Sequence, residues 1–283
     1  MNRIVTFTKL CAIFLMYAVS AQAGSLLQDI VSKGEMVVAT NADYPPQSLL
    51  NEKGQFEGFD IEVAREIAKR LGVTVRFVTP IWKLVTIGNW GREWDVSIGS
   101  MTPTRERKKV LLFTMPYYSS PAQFAVHKDN VTIKKLDDLA GKVIGVADET
   151  TNERYLNRNL QIEDVPVVYQ NWVAGELRTY PSDASHIADL VLGDGVRLDA
   201  IFTSKQTLAT TIREGCGNGC PIRMLGDSPY FEPLAFALDR RRKNSESLLK
   251  KLNAIIQSMY DDGTLVKLSM KFFKTDLIPA LQQ

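Results

Sequence analysis

Strand, helix and strand succeed one another without interruption between residues 36 and 77, and that order restricts the fold more than any other feature of the chain. Residues 36–40 form a short apolar run before the loop Asn41-Ala42-Asp43-Tyr44-Pro45-Pro46, which reads as a strand ending in a loop. Ile61, Ala64, Ile67, Ala68 and Leu71 then recur on one helical face, with Asp60 as the N-cap and Gly72 as the stop. Val73, Val75 and Phe77 alternate with Thr74 and Arg76, so a second strand follows. A unit of this order implies a parallel sheet.

The same pattern runs through residues 82–90 to a strand at 94–98, which places residues 99–107 at the C-terminal end of that strand. Open α/β sheets bind ligands there. A second α/β unit begins at residues 142–146, continues through the polar turn 147–152 and a helical stretch at 187–192, and reaches a strand at 198–202. Leu248, Leu249, Leu252, Ile255, Ile256 and Met259 have helical spacing between a Ser245 cap and a Gly263 break. Extended segments at 121–127 and 234–238 join the two units, which suggests two lobes with a crevice between them.

Residues 1–23 have the build of a secretory signal peptide: Arg3 and Lys9, an apolar stretch over 10–19, and Ala21-Gln22-Ala23 before Gly24. The apolar run is too short for a membrane span, which needs about 18 residues. Its removal leaves 32 basic residues against 32 acidic ones, a balance that argues against a nucleic-acid partner. Of the cysteines, Cys216 and Cys220 remain in the run Glu-Gly-Cys-Gly-Asn-Gly-Cys-Pro. In an exported chain this pair reads as a small structural disulfide, and no neighbouring histidine or cysteine completes a zinc site.

Residues 100–118 read Ser-Met-Thr-Pro-Thr-Arg-Glu-Arg-Lys-Lys-Val-Leu-Leu-Phe-Thr-Met-Pro-Tyr-Tyr. The stretch resembles the anion-gripping loop of the solute-binding proteins that feed polar amino acids to bacterial ABC transporters. Further points of resemblance are Tyr44-Pro45-Pro46, Gly-Gln-Phe-Glu-Gly-Phe-Asp at 54–60, Leu-Ala-Gly-Lys-Val-Ile-Gly-Val at 139–146, and residues 260–264. Each is weak alone; their order and spacing make the likeness specific. It implies a bilobed α/β periplasmic-binding-protein fold of type II with a ligand cleft between the lobes. Lobe 1 is then discontinuous, 24–125 plus 236–283, and lobe 2 spans 126–235. The expected partners are a small polar solute with a carboxylate and the membrane permease of an ABC transporter. A periplasmic monomer without cofactor, metal or nucleic acid is expected.

Arg107 matches the ligand arginine of that family, and a guanidinium can grip a carboxylate with two parallel hydrogen bonds. Its neighbours Arg105, Glu106, Lys108 and Lys109 read as a solvated face. Ser100 and Thr102 match hydroxyl positions that meet the ligand in relatives, and the candidate site takes in Met101 between them and Gly99 beside them, though turn chemistry would use the same hydroxyls. Thr104 is expected to cap the turn carrying Arg107. Thr150 and Thr151 match a second-lobe turn that offers an amide and a hydroxyl to the same carboxylate, or plain helix capping. Asp148-Glu149 stands where relatives often carry a small residue or glycine, so Glu149 is expected to point at a cationic group of the ligand. Tyr44 and Trp82 match aromatic walls of the pocket, while Trp90, Trp94 and Trp172 read as packing residues.

Two positions depart from the family pattern. Ser204, after the strand ending in Phe202, stands where many relatives place an aspartate for the ligand's α-ammonium, and Asn41 stands where several binders of cationic amino acids have one. A closed-in ammonium without a carboxylate is costly. Either Asp148 or Glu149 supplies that charge, or the ligand is not an ordinary α-amino acid. The segment 171–185 looks longer than the family's usual link and either brings Arg178 or Tyr180 near the cleft or decorates the surface; such insertions are mostly surface loops, and no site residue is assigned to it.

Two other functions compete. A periplasmic dehydratase of the cyclohexadienyl type, built on the same fold, needs a cleft carboxylic acid to protonate a departing hydroxyl, and residues 203–207 contain none. A soluble sensor for a membrane receptor would use the same cleft. The two histidines, His127 and His186, lie in no catalytic motif, and His127 reads as a hinge-side or surface residue.

Overall fold

The computed structural model describes residues 25–163, 165–214 and 219–278. The chain opens with α1 (Leu26–Lys33) and β1 (Glu35–Ala39), then a small antiparallel sheet of β2 (Asp43–Tyr44), β3 (Ser48–Leu50) and β4 (Phe56–Glu57). Next come α2 (Phe59–Leu71), β5 (Thr74–Val78), α3 (Trp82–Thr86), β6 (Val96–Met101) and β7 (Leu111–Phe113). The long β8 (Tyr118–His127) leads into β9 (Val143–Ala147), α4 (Thr151–Leu156), β10 (Glu176–Tyr180), α5 (Asp183–Val191), β11 (Ala200–Ser204), α6 (Lys205–Glu214) and β12 (Ile222–Leu225). Finally β13 (Phe231–Asp239) returns, followed by α7 (Glu246–Asp261) and α8 (Thr264–Phe273).

These strands make one path, β10-β9-β11-β8-β13-β6-β1-β5. β1 lies parallel between β5 and β6, and β9 lies parallel between β10 and β11, as two α/β units require. The segments expected to join the units are β8 and β13. Ala122 to Ala125 of β8 pair with β11, while Tyr118 to Pro121 pair with β13, whose next residues pair with β6.

Each unit opens its central strand in the same way. Asp95 accepts from the Val37 amide at 2.9 Å, and Asp199 accepts from the Val143 amide at 2.8 Å. Among the described residues four hydrophobic clusters result, of which the two largest lie one in each unit. One gathers Phe59, Tyr117, Phe236, Leu252 and Phe273 between α2, α7, α8 and the sheet. The other is built around Phe124 and Phe202, whose rings stack at 3.9 Å, with Tyr155 and Tyr230 against Phe202. Burial of each such side chain contributes about 2 to 3 kcal/mol.

The N-cap of α2 is Gly58 and not Asp60. Gly58 has φ 127°, and a Cβ there would lie 2.4 Å from the Gln47 carbonyl oxygen, so the close approach of chain to chain selects glycine. Asp60 is thereby carried inward, fully buried. Ser245 likewise makes no side-chain cap bond; its hydroxyl donates to the Arg242 carbonyl. Residues 176–180, expected within a surface loop, form the edge strand β10 beside β9. His127, expected as a hinge-side or surface residue, is not at the surface but buried on β8 opposite Ile222. Trp90 and Trp94 pack together in the core as expected, and Trp172 packs on Phe124. Cys220 is disulfide-bonded; its expected partner Cys216 lies outside the described residues, as does the expected signal segment 1–23. No helix among the described residues is long and apolar enough to cross a membrane.

Candidate ligand cleft

A cavity of about 570 Å³ opens between the two units, within the range of small-molecule sites. From the first unit it is lined by Asn41, Tyr44, Trp82, Gly99, Ser100, Thr102 and Arg107, and from the second by Ala147, Asp148, Thr150, Thr151, Asn152 and the stretch around Asp183. These come from strand ends and the turns that follow them, where side chains leave the sheet without covering one another.

Arg107 is buried on a single 3-10 turn, Arg107–Lys109, held by Thr104, whose hydroxyl accepts from the Arg107 amide at 3.2 Å. Its Nη1 donates to the Thr102 carbonyl at 3.1 Å and its Nη2 to the Glu149 carbonyl across the cleft at 2.7 Å. The guanidinium lies over the Trp82 ring at 5.4 Å, a cation–π distance, and Trp82 Nε1 donates to the same Glu149 carbonyl at 3.3 Å. Nε is buried and has no partner. Burial, reinforced by the like charge of Arg154, pushes the guanidinium pKa down to about 10. A cation held at this cost over neutral carbonyls is what an incoming anion would relieve.

Glu149 has φ 57°, the left-handed conformation that a glycine takes without strain. That turn aims its carbonyl into the cleft. Its carboxylate points elsewhere, to Arg154 at 3.2 Å with Lys83 at 3.8 Å, so the expectation that Glu149 faces a ligand cation does not hold. Thr150 caps α4, accepting from the Glu153 amide, and also lines the cavity. Asp148 lines the cavity but is exposed.

Glu232, on the returning strand β13, was not among the expected site residues. It is 6% exposed, and its Oε2 accepts from Thr102 Oγ1 at 2.5 Å and from Thr151 Oγ1 at 2.6 Å. One hydroxyl comes from each unit, so this carboxylate spans the cleft. Burial raises its pKa, while the two hydroxyls and the Arg107 charge act in the opposite direction. A lone acid at the head of the apolar run 233–238 was the available signal. Asp183 is a further acid of this wall, with Asp43 and Asp148, and Pro181, Ser182 and Ser185 line the cavity beside it. Pro181, Ser182, Asp183 and Ser185 belong to residues 171–185, read from sequence as a surface loop. Asp183 Oδ1 also accepts from the His186 ring, at 3.0 Å from Nε2.

Ser100 sits at φ 53°, a strained conformation for a serine at a strand end. A buried network holds it there: its hydroxyl donates to Asp60 Oδ2 at 2.7 Å and lies 2.6 Å from the Tyr118 hydroxyl, and Tyr117 donates to Asp60 Oδ1 at 2.6 Å. Burial raises the Asp60 pKa to about 7. Met101 points away from the cleft into the packing around Trp90 and Trp94. Ser204 also lies off the cavity, where its hydroxyl accepts from Gln47 at 3.2 Å and donates to Thr207 at 2.8 Å. Among the described residues no cluster of three or more His, Cys, Asp or Glu could hold a metal ion.

Two α/β lobes closing on a polar cleft with a buried arginine define a bilobed binding protein. Residues 36–275 match the model of the bacterial extracellular solute-binding proteins, family 3, and the chain belongs to that family. It is 33% identical over 253 residues to the L-cystine-binding protein TcyJ of Escherichia coli (strain K12), covering 89% of this chain and 87% of that one. With an L-arginine-binding protein of Pseudomonas aeruginosa it shares 30% identity over 244 residues, 85% of this chain and 88% of the other. Among solved structures, an ancestral amino acid-binding protein described as a precursor of cyclohexadienyl dehydratase superposes with TM-score 0.74 at 32% identity, covering 88% and 100% of the two chains. An ancestral arginine-binding protein bound to arginine superposes with TM-score 0.72 at 30% identity, covering 85% and 98%.

Proposed function

We propose that this chain is the solute-binding component of an ABC importer and that it carries a small amino acid or amino-acid derivative to a membrane permease. The observation that carries this reading is Arg107: a buried guanidinium with an unpartnered Nε, facing a cavity walled by both lobes. A ligand carboxylate would take up Nε and displace the Glu149 carbonyl from Nη2. Because such a ligand touches both lobes, it binds the closed arrangement better than an open one, which is all that population shift requires.

We infer two lobes, residues 24–125 plus 236–283 and residues 126–235; the pairing of Ala122 with β11 supports moving the first crossing back from residue 125 to about residue 121. The protein acts as an exported, periplasmic monomer, with Cys216 as the disulfide partner of Cys220. Support for transport comes from the relatives, whose names describe cystine-binding and arginine-binding proteins.

A thermal-shift screen over amino acids, opines, betaines and dicarboxylates, on protein freed of co-purified solute, tests the reading. A carboxylate-bearing amino acid at 100 times its Kd is expected to add about 2.7 kcal/mol of stability. A best ligand without a carboxylate contradicts the role of Arg107. Measurable turnover of prephenate or arogenate would replace the transport reading by catalysis, with Glu232 as the acid in the cleft.

A further inference from the structure

The hydroxyls expected to grip a ligand carboxylate have their protons committed elsewhere. A hydroxyl has one hydrogen to donate and two lone pairs. Thr102 and Thr151 both spend that hydrogen on Glu232 Oε2, and Ser100 spends its own on Asp60. What Thr102 and Thr151 retain toward the cavity is acceptor capacity. Together with the Glu232 carboxylate they offer three oxygen acceptors, drawn from both lobes and from the strand between them. An ammonium group has three donors and no acceptor.

We propose that Glu232, with Thr102 Oγ1 and Thr151 Oγ1, is the seat of the ligand's ammonium group. This rests on the amino-acid reading above and narrows it to solutes that carry a primary ammonium beside their carboxylate. Arg107 lies next to the seat, since its Nη1 donates to the carbonyl of Thr102 itself. One α-amino acid then places its carboxylate on the guanidinium and its ammonium on Glu232. The acids missing at Asn41 and Ser204 are thus replaced from a different strand, and Ser204 is withdrawn to Gln47 and Thr207. Asp43, Asp148 and Asp183 add further negative charge to the cavity wall. A ligand with a carboxylate alone would bring a second anion up to Glu232, which disfavours it.

Isothermal titration with paired probes tests the seat: L-glutamine against 4-carbamoylbutanoate, L-arginine against 5-guanidinopentanoate, and L-cystine against 3,3′-dithiodipropionate. Each pair differs by the α-ammonium groups. The wild-type protein is expected to bind at least one amino acid of the three and to reject its deaminated partner. Glu232→Gln should lower the affinity for that amino acid by about 30-fold or more, as truncating one partner of a buried charge pair does, and bring the pair within about threefold of each other. Glu232→Asp, which keeps the charge, and Thr151→Val, which removes one acceptor, serve if Glu232→Gln does not fold. The first should retain the preference and the second should weaken amino-acid binding several-fold. Retention of wild-type preference in Glu232→Gln overturns the seat while leaving the amino-acid reading intact. Tighter binding of the deaminated probe by Glu232→Gln than of the amino acid by wild type also overturns it, since Glu232 would then be occupying the carboxylate's place. Failure of wild type to bind any amino acid overturns both.

Discussion

Replacing Arg107 by methionine should separate binding from folding. In the folded chain, holding the guanidinium pKa near 10 instead of 12.5 disfavours its charged form by about 3 kcal/mol. The sign follows directly: a base whose folded pKa is lowered destabilises the fold at every pH below about 10, and is relieved only above it. Against this, Arg107→Met loses two charged hydrogen bonds to the Thr102 and Glu149 carbonyls, about 1.5 kcal/mol each, and a cation–π contact of about 1 kcal/mol. Methionine fills much of the volume and adapts to the gap. The two sides nearly cancel, so ligand-free stability should move by less than about 1 kcal/mol. Affinity is another matter, because a charge-assisted carboxylate partner is removed outright, at about 2 to 5 kcal/mol. Urea unfolding followed by tryptophan fluorescence reads the first quantity, and titration calorimetry with the best amino acid from the screen reads the second. A loss of 3 kcal/mol or more in ligand-free stability, or an unchanged Kd, would refute the assignment of Arg107 as a binding group held at a folding cost.

Three further outcomes are expected. Thr102→Val and Thr151→Val should each destabilise the ligand-free protein by about 1 to 3 kcal/mol, because each removes a donor from buried Glu232; a double-mutant cycle in urea with no coupling would show that Glu232 does not bridge the lobes in solution. Asp60 has a folded pKa of about 7 against an ordinary 3.8, so its folded state binds the proton more tightly. Relative to Asp60→Asn, wild-type stability should therefore fall by about 1.4 kcal/mol per pH unit between about pH 4 and 7 and level off above it, and parallel pH profiles would contradict this. Gly58→Ala forces a Cβ to 2.4 Å from the Gln47 carbonyl oxygen at φ 127°, and a loss of roughly 3 kcal/mol is expected in thermal or urea unfolding; a change below 1 kcal/mol would mean that the contact with Gln47 relaxes freely.

Much of the frame was legible because hydrophobic period is a local property. The alternation at 73–77 and the helical spacing of Ile61, Ala64, Ile67 and Ala68 need no knowledge of distant residues, and β5 and α2 lie where those patterns put them. Boundaries were less legible where a tertiary contact overrode a cap preference. Asp60 has the side chain of an N-cap but serves Tyr117 and Ser100, because Gly58 takes the turn that its contact with Gln47 demands. The edge strand β10 was missed since Glu176, Arg178 and Thr179 carry no apolar alternation; the strand forms by adding to β9, whose unpaired edge was available.

The candidate site divides along the same line. Arg107, Thr102, Thr151, Tyr44 and Trp82 stand in recognisable motifs at strand ends, and all of them line the cavity. Met101 and Ser204 stand in the same motifs yet turn away, one by strand alternation into the Trp90 packing and the other by bonds to Gln47 and Thr207.

By itself, then, the sequence determined the two α/β units, the turn that carries Arg107 and the family likeness, all of which are written in short runs of neighbouring residues. Only the tertiary structure decided the charge of the cleft. Glu232 lies 130 residues from Thr102 and 81 from Thr151, and it meets both only because β13 returns between the lobes. A hydroxyl's role as donor or acceptor depends on which partner takes its single proton, and that partner is chosen by packing across the whole chain.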